Sequence, residues 1–390
     1  MFNILTIDKV RKIEVEPTTY CNAGCPHCSR HKPNTSILET NMQMDHIKPE
    51  LIYKLKDDFG EQTKKMDIWY VGNLGDALMH PHMEDIWEFT AKNFRYTEME
   101  TNGGARKLEF WKNMGEISKR NQNAMMYFSI DGLEDTNEIY RKKVKWDKLM
   151  ANVKAYIGAG GLATWKWLIF KHNEHQVEEA RALAKELGFV SFEPMWATRY
   201  ETTVYNKTKP KTASKDSFNL PKEKFNQLTT GEIQLGSAVQ EQVKKRLEKV
   251  KFDTDVPKIS CKYIKQQRMY LNAKGRIWPC CWTSVWDKFN DFRHMDPLIH
   301  PHYEKGFNDY TTRSLKEIFS DSVWEEMTTA WEVKSINAYG KQPMNICHRK
   351  CTNSKWEALC NIRHESDVSE FKPEALSNIA DDDTKSKTAN

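Results

Sequence analysis

Nine cysteines are the residues of this sequence whose spacing points most directly to chemistry. Three of them, Cys21, Cys25 and Cys28, lie within one segment of eight residues. The other six lie beyond residue 260 and are Cys261, Cys280, Cys281, Cys347, Cys351 and Cys360. The total is odd and the N-terminal residues do not read as an export signal, so we do not expect a disulfide framework. The clustering predicts metal or iron–sulfur ligation instead.

The first three cysteines have the spacing C-x3-C-x2-C and follow directly on a predicted strand. Three thiolates on one short loop can hold three irons of a cubane cluster and leave the fourth iron open. Catalysis by a metal requires such an open position, whereas a metal with four protein ligands is usually structural. The alternatives are a zinc site completed by His27 or His31, and core cysteines that bind nothing.

Six strand-like runs alternate with helix-like runs between Lys12 and Trp196, which predicts successive βα units and a parallel sheet. The predicted strands are Lys12–Glu16, Met66–Val71, Tyr96–Thr101, Met125–Ile130, Thr164–Phe170 and Val190–Met195. The predicted helices are Asp45–Asp58, His82–Asn93, Arg106–Lys119, Asp147–Tyr156 and Glu174–Leu187. Parallel α/β barrels place their chemistry on the loops that follow the strands, which is where the three-cysteine loop falls.

The sequence changes character after residue 200. Residues 201–257 are polar and rich in lysine, which predicts a linker or insertion with a helical portion. A second, smaller domain is predicted over residues 258–362, and it opens with a β-hairpin that turns at Asn272–Gly275. Residues 363–390 end in DDDTKSKTAN and predict a disordered tail.

Composition and charge exclude some classes of function. Hydrophobic residues make up 39% of the 390 residues and the mean hydropathy is −0.75. No run approaches the ~20 apolar residues that a membrane-spanning helix needs, so we expect a cytoplasmic protein with no membrane partner. The net charge of +5 is too small to indicate nucleic-acid binding, and we expect none.

The segment EPTTYCNAGCPHC (16–28) resembles the opening motif of the radical S-adenosylmethionine (SAM) enzymes. Asn22 matches that motif too, whereas His27 stands where the family usually has an aromatic residue. Three later segments resemble the family in the same order, each after its own predicted strand. They are VGNLGDALMHP (71–81), ETNGG (100–104), and SIDG (129–132) with the Tyr-Arg pair at 140–141.

The resemblance implies a partial (β/α)6 TIM-like barrel over residues 10–200, in which Cys21, Cys25 and Cys28 hold a [4Fe-4S] cluster with an open iron. The residues expected to bind SAM are Gly72, Gly75, Asp76, Asn102, Ser129 and Arg141. Asp76 stands for the family's usual Glu, and Ala77 for its usual Pro. The implied chemistry is reductive cleavage of SAM to a 5′-deoxyadenosyl radical that abstracts hydrogen from a substrate. A donor such as flavodoxin or ferredoxin would supply the electron.

The later cysteines resemble those of the twitch (SPASM-like) domains that follow many radical SAM barrels, which are small α+β domains with a hairpin and an iron–sulfur site. Here the spacing C-x13-G-x4-C runs from Cys261 through Gly275 to Cys280. The ligands implied for one auxiliary [4Fe-4S] cluster are Cys261, Cys280, Cys347 and Cys351, with Cys360 as an alternative to Cys351. A structural zinc ion on the same ligands is the competing hypothesis. Cys281 would face away from Cys280 if the chain is extended there.

The resemblance says less about the substrate than about the cofactors. Relatives with such accessory domains modify peptides and proteins or dehydrogenate small alcohols such as aminocyclitols. We expect peptide or protein modification first and small-molecule dehydrogenation second. A non-catalytic iron–sulfur or zinc protein on the same scaffold is the third hypothesis, because the segment GNLGDA departs from the family pattern.

Overall fold

The structure is a computed structural model that describes most of the chain up to residue 197 and parts of the remainder. The described residues are 5–32, 35–197, 234, 236–237, 241, 259–284, 295–296, 298–332, 344, 346–347, 351 and 369–370. The insertion predicted over 201–257 lies almost entirely outside them, as does most of the tail predicted over 363–390. Cys360 also lies outside them.

One nine-stranded sheet organises the described residues, in the order β8-β7-β1-β2-β3-β4-β5-β6-β9. The strands are β1 Lys12–Val15, β2 Asp67–Tyr70, β3 Tyr96–Thr101, β4 Ala124–Ser129, β5 Leu162–Ile169, β6 Ser191–Trp196, β7 Arg268–Leu271, β8 Ile277–Trp278 and β9 Ser369–Glu370. Strands β7 and β1 to β6 are parallel, whereas the two edge strands are antiparallel to their neighbours. The six predicted barrel strands are confirmed, each within two residues of its predicted bounds. The described edge strands do not pair with each other, so the barrel is partial.

Helices pack against the sheet in two apolar cores. They are α1 Pro49–Phe59, α2 Met83–Asn93, α3 Leu108–Asn121, α4 Asn137–Tyr140, α5 Trp146–Gly158, α6 Val177–Glu186, α7 Lys262–Lys265, α8 His300–Glu304, α9 Leu315–Phe319 and α10 Val323–Thr329. Helix α1 begins four residues later than predicted, because Pro49 occupies its first turn and Lys48 before it is extended. Among the described helices none is long and apolar enough to cross a lipid bilayer.

The two faces of the sheet differ in chemistry. The outer face is apolar and packs against the helices in one continuous core that includes Ile13, Phe128 and Trp165. The inner face carries ion pairs, and two of them join strands that are not neighbours: Lys12 of β1 binds Glu98 of β3 at 2.8 Å, and Lys166 of β5 binds Glu100 of β3 at 2.7 Å. Such bonds can form only across the concave side of a curved sheet. The barrel interior is therefore polar and charged.

The predicted hairpin is present, and it belongs to the same sheet as the barrel. Strands β7 and β8 are antiparallel, and β7 lies parallel to β1 with Tyr270 opposite Glu14. Gly275 in the turn has a φ of +77°, and a Cβ there would lie 2.6 Å from a methyl carbon of Leu51 in α1. The C-terminal region thus extends the barrel sheet, an attachment that the sequence analysis did not predict. Ser369–Glu370, within the predicted tail, form β9 against β6.

Candidate active site

The three-cysteine loop leaves the end of β1 and is fixed by its own backbone. Cys28 N–H donates to the carbonyl of Cys25 at 3.1 Å, and Gly24 N–H donates to the carbonyl of Lys142 at 2.8 Å. Upstream, the hydroxyl of Thr19 accepts from Asp45 N–H at 2.7 Å. The loop is therefore tied both to the segment before α1 and to the segment after α4.

The thiols of this loop lie in a largely dry environment. Cys25 is buried, and Cys21 and Cys28 are partly buried. Burial raises the pKa of the Cys21 thiol to about 12, with the nearby Asp76 carboxylate as a second cause. Burial also raises the pKa of Cys25, although the Arg141 guanidinium opposes the shift. Thiols of this kind become thiolates when a metal replaces the proton.

His27 packs beside two aromatic rings that also contact each other, with 4.4 Å between the ring centroids of Tyr140 and Phe170. Its ring makes edge contacts with Tyr140 at 6.0 Å and with Phe170 at 6.5 Å between centroids. The imidazole at the motif's usual aromatic position therefore packs against aromatic side chains. His31, the other histidine considered as a zinc ligand, has its Nδ1 2.9 Å from the carbonyl oxygen of Cys25.

Asn102, at the end of β3, connects three parts of the site. Its side-chain amide donates to Asn22 Oδ1 at 2.9 Å and to Asp76 Oδ2 at 2.6 Å, and its nitrogen lies 3.7 Å from Cys21 Sγ. Its oxygen accepts from the amide of Asn22 at 3.1 Å. The predicted SAM-binding residue Asn102 therefore lies directly beside the three-cysteine loop.

The carboxylate of Asp76 is directed at protein donors. It accepts from the Thr101 hydroxyl at 3.0 Å, from Asn102 N–H at 2.7 Å and from Leu78 N–H at 3.1 Å. The side chain is 4% exposed, and burial raises its pKa. Asp76 therefore holds the side chain of Asn102 in a fixed orientation.

The loop after β2 (residues 72–75, the β2 loop) packs against the three-cysteine loop. A Cβ on Gly75 would lie 2.0 Å from the carbonyl oxygen of Thr18, so only glycine fits. Glu16 holds this loop: its Oε1 accepts from Leu74 N–H at 2.5 Å and from Gly75 N–H at 3.1 Å. The sequence analysis did not single out Glu16. The available signal was an acidic residue that is both the last residue of the predicted strand and the first residue of the motif.

Arg141 approaches the loop from the other side. Its Nε donates to Asp131 Oδ2 at 2.6 Å and its terminal nitrogen lies 3.8 Å from Cys25 Sγ. The carboxylate of Asp131 also accepts from Leu168 N–H at 2.7 Å, which fixes the pair to β5. Burial by itself would lower the pKa of Arg141, but the charges of Asp131, Cys25 and Tyr140 and the hydrogen bond to Asp131 together raise it. Ser129 is the last residue of β4 and pairs with Lys166 in the sheet register.

The inner face below the loop combines ionic and aromatic groups. Trp69 on β2 lies under three cations, with Lys12 Nζ at 4.6 Å and the head groups of Lys166 and Arg268 at 5.7 and 5.6 Å from its ring centre. Lys166 also lies 4.4 Å from the ring of Tyr127. This surface can bind polar and charged groups.

The later cysteines form a second group close to β7 and β8. The Cys351 thiol donates to Cys261, which lowers the pKa of Cys261 and raises that of Cys351. The thiols of Cys280 and Cys347 lie near enough to interact electrostatically with that pair. These four cysteines are the predicted auxiliary ligands. Cys281 lies instead beside Tyr263 and Glu14.

The spacing of the thiols bears on what they can bind. Within the described ranges, no three cysteine, histidine or acidic side chains converge closely enough to hold one metal ion. A single zinc ion needs all its ligands at one point. A cubane cluster needs a wider set, because each thiolate binds a different iron. The thiol donors of both groups are of the type that binds iron–sulfur clusters and zinc ions.

Comparison with known families decides the class of the barrel. Residues 15–188 match the family model of the radical SAM superfamily. These residues form a radical SAM domain. The protein is therefore an enzyme, and its domain is of a kind that binds a [4Fe-4S] cluster and SAM. The match begins at the end of β1 and reaches the end of α6, so it includes every loop described above except those of the second cysteine group.

Solved structures similar to the chain include that of Streptococcus suis SuiB bound to precursor peptide SuiA, at 15% identity and a TM-score of 0.49, covering 87% of this chain and 71% of that one. Another is native anSMEcpe with bound AdoMet, at 12% identity and a TM-score of 0.47, covering 87% and 88% of the two chains. A third is anSMEcpe with AdoMet and the Cp18Cys peptide, at 11% identity and a TM-score of 0.45, covering 81% and 82%. No curated protein matches the sequence.

Proposed function

We propose that the protein cleaves SAM reductively and abstracts hydrogen from a residue of a peptide or protein substrate. The observation that carries this proposal is the position of the three-cysteine loop within the radical SAM domain. It stands at the end of β1, with Asn102 on one side and Arg141 on the other. When bound, the cluster and SAM supply the electron transfer and the 5′-deoxyadenosyl radical.

The residues of the first site have separate tasks in this proposal. Cys21, Cys25 and Cys28 hold the cluster. The backbone of the β2 loop and Ser129 face SAM, and Asp76 keeps Asn102 oriented. Arg141 provides a fixed positive charge beside Cys25, which suits both a thiolate and the carboxylate of an amino acid.

The second site holds an auxiliary [4Fe-4S] cluster on Cys261, Cys280, Cys347 and Cys351. Its support is the mutual proximity of these four thiols. Because β7 is part of the barrel sheet, this group is fixed relative to the barrel interior.

The polar interior favours a peptide or protein substrate. Carboxylates, ammonium groups and aromatic rings alternate along the inner face, as in the Lys166–Glu100 pair beside Tyr127. A peptide segment offers main-chain amides and charged side chains to such a wall. A small alcohol would make fewer contacts with this surface.

The first experiment tests catalysis. Anaerobically reconstituted protein should contain about eight iron and eight sulfide atoms, as expected for two cubane clusters. Dithionite and SAM should then yield 5′-deoxyadenosine. A reduced, fully reconstituted protein that forms no 5′-deoxyadenosine would be a non-catalytic iron–sulfur protein, and the proposed function would be wrong.

The second experiment tests the substrate class. A cell extract is separated by size into a peptide and protein fraction and a small-molecule fraction, and each is added to the reconstituted enzyme. We expect the first fraction to accelerate formation of 5′-deoxyadenosine, and we expect protease treatment to abolish that effect. Acceleration by the small-molecule fraction that survives protease would instead identify a small-molecule dehydrogenase.

A further inference from the structure

Glu16 connects the first site to the C-terminal region. One carboxylate oxygen accepts from the main-chain N–H groups of Leu74 and Gly75 in the β2 loop. The other accepts from the hydroxyl of Tyr270 on β7. Glu16 is 1% exposed, so its charge depends on these donors for stabilisation.

Tyr270 is held in place by its own surroundings. Its ring is 1% exposed and belongs to the apolar core of the C-terminal region, together with Trp278 and Tyr303. Its hydroxyl also accepts from the side-chain amide of Asn73 at 3.4 Å, so it touches the β2 loop a second time. The hydroxyl of Tyr270 is therefore a fixed donor to Glu16, although the two residues are 254 positions apart in the sequence.

We propose that Tyr270 is a positioning residue for SAM. Its hydroxyl fixes the carboxylate of Glu16, and the carboxylate in turn fixes the two N–H groups that set the shape of the β2 loop. The proposal rests on the proposed function, in which the β2 loop receives SAM. Without the Tyr270 hydroxyl, the buried carboxylate of Glu16 loses a hydrogen bond and can change its position. The β2 loop, which is bonded to that carboxylate, would then change its shape.

A second tyrosine–glutamate pair of the same kind lies nearby, between Tyr263 on helix α7 and Glu14 on β1. Tyr263 donates its hydroxyl to Glu14, which also binds Arg268 at 2.8 Å. Glu14 precedes Glu16 by two residues and faces the same side of the sheet. The described hydrogen bonds of Glu14 do not involve the β2 loop. Removing the Tyr263 hydroxyl therefore deletes the same kind of bond without reaching SAM.

The test compares Tyr270→Phe with Tyr263→Phe in the reconstituted holoenzyme. The Kd for SAM is measured by equilibrium dialysis and the iron content is measured on the same samples. We expect Tyr270→Phe to raise this Kd about tenfold, the size of one hydrogen bond to a buried charge. We expect Tyr263→Phe to stay within about twofold of the wild type. In turnover, Tyr270→Phe should raise the KM for SAM and leave kcat at saturating SAM unchanged.

The outcomes separate this proposal from the function on which it rests. A wild-type holoenzyme with full iron content that binds no SAM would contradict the proposed function itself. SAM binding by the wild type with equal Kd values in both variants, whether unchanged or equally raised, would overturn only the role of Tyr270. If Tyr270→Phe does not fold, the isosteric Glu16→Gln variant replaces it, with the same expected rise in Kd and the same contradicting result.

Discussion

The side-chain amides of Asn22 and Asn102 form two reciprocal hydrogen bonds, of 3.1 and 2.9 Å, across 80 residues of sequence. The pair joins the three-cysteine loop to the turn after β3, and it leaves the nitrogen of Asn102 close to Cys21. Two loops that follow different strands therefore behave as one unit. The relative position of the two loops depends on the Asn102 amide, which donates one hydrogen bond to Asn22 and accepts another from it.

Replacement of Asn102 by Asp should break this unit. The new carboxylate would face Asp76 in place of the amide that now donates to it at 2.6 Å, so two acids would meet in a buried site. We expect the free energy of unfolding to fall by about 3 kcal/mol, because hydrogen bonds to a charged group are lost. Urea titration of the apo-protein measures this effect.

The exposed Asn41→Asp variant makes the same chemical change at the surface and should stay within about 0.5 kcal/mol of the wild type. If Asn102→Asp were as stable as Asn41→Asp, the amide pair would not hold the two loops together.

Substitution of Gly75 tests the contact between the β2 loop and the three-cysteine loop. Gly75→Ala would place a methyl carbon 2.0 Å from the carbonyl oxygen of Thr18, and neither backbone segment can move without breaking its other hydrogen bonds. We expect the free energy of unfolding, measured by urea titration, to fall by about 3 kcal/mol. Gly158→Ala at the end of α5 meets no atom within 4 Å and should be neutral or stabilising. Equal stability of the two variants would contradict the close packing.

Acid should destabilise the apo-protein through His80. Burial is the main cause that lowers the pKa of His80 to about 4; the charges of His46, His82 and Arg106 act in the same direction, and the bond to the Ile47 carbonyl opposes the shift. Its Nδ1 accepts from His82 N–H, an interaction that a protonated ring cannot make. The unfolded chain takes up this proton near pH 6.5, so the stabilisation is complete above that pH and is lost as the pH falls toward 4.

The measurement is a series of urea titrations between pH 7 and pH 4. The part of the pH dependence that belongs to His80, up to about 3 kcal/mol, should disappear in His80→Gln. A His80→Gln variant with an unchanged slope would show that other groups cause the acid lability.

Adjacent cysteines give the sharpest test of the second site. Cys280 lies among the four thiols, whereas the side chain of Cys281 lies beside Tyr263 and Glu14. After anaerobic reconstitution, Cys280→Ala should retain about four iron atoms, those of the first cluster, and Cys281→Ala should retain about eight. Iron and sulfide analysis measures both.

One zinc ion together with only about four iron and four sulfide atoms, those of the first cluster, would make the second site a structural zinc site. Loss of iron in Cys281→Ala and not in Cys280→Ala would reverse the assignment of the two side chains.

The sequence by itself determined the βα order of the barrel and the position of the cysteine loop. Both depend on local patterns: strand-like runs separated by helical periodicity, and a fixed spacing of thiols on one loop. The matched segments at 71–81, 100–104 and 129–132 fell at strand ends for the same reason, because parallel strands bring their carboxyl ends to one edge.

Only the tertiary structure decided which side chains meet. The hydrogen bonds of Glu16 with Leu74 and Tyr270, the engagement of Asp76 by Asn102, and the pairing of β7 with β1 all join residues far apart in the chain. The periodicity of the sequence does not predict such contacts, because a buried acidic residue cannot be distinguished from an exposed one by its type alone. Its role depends on which donors the fold brings to it, and that is set by packing across the sheet.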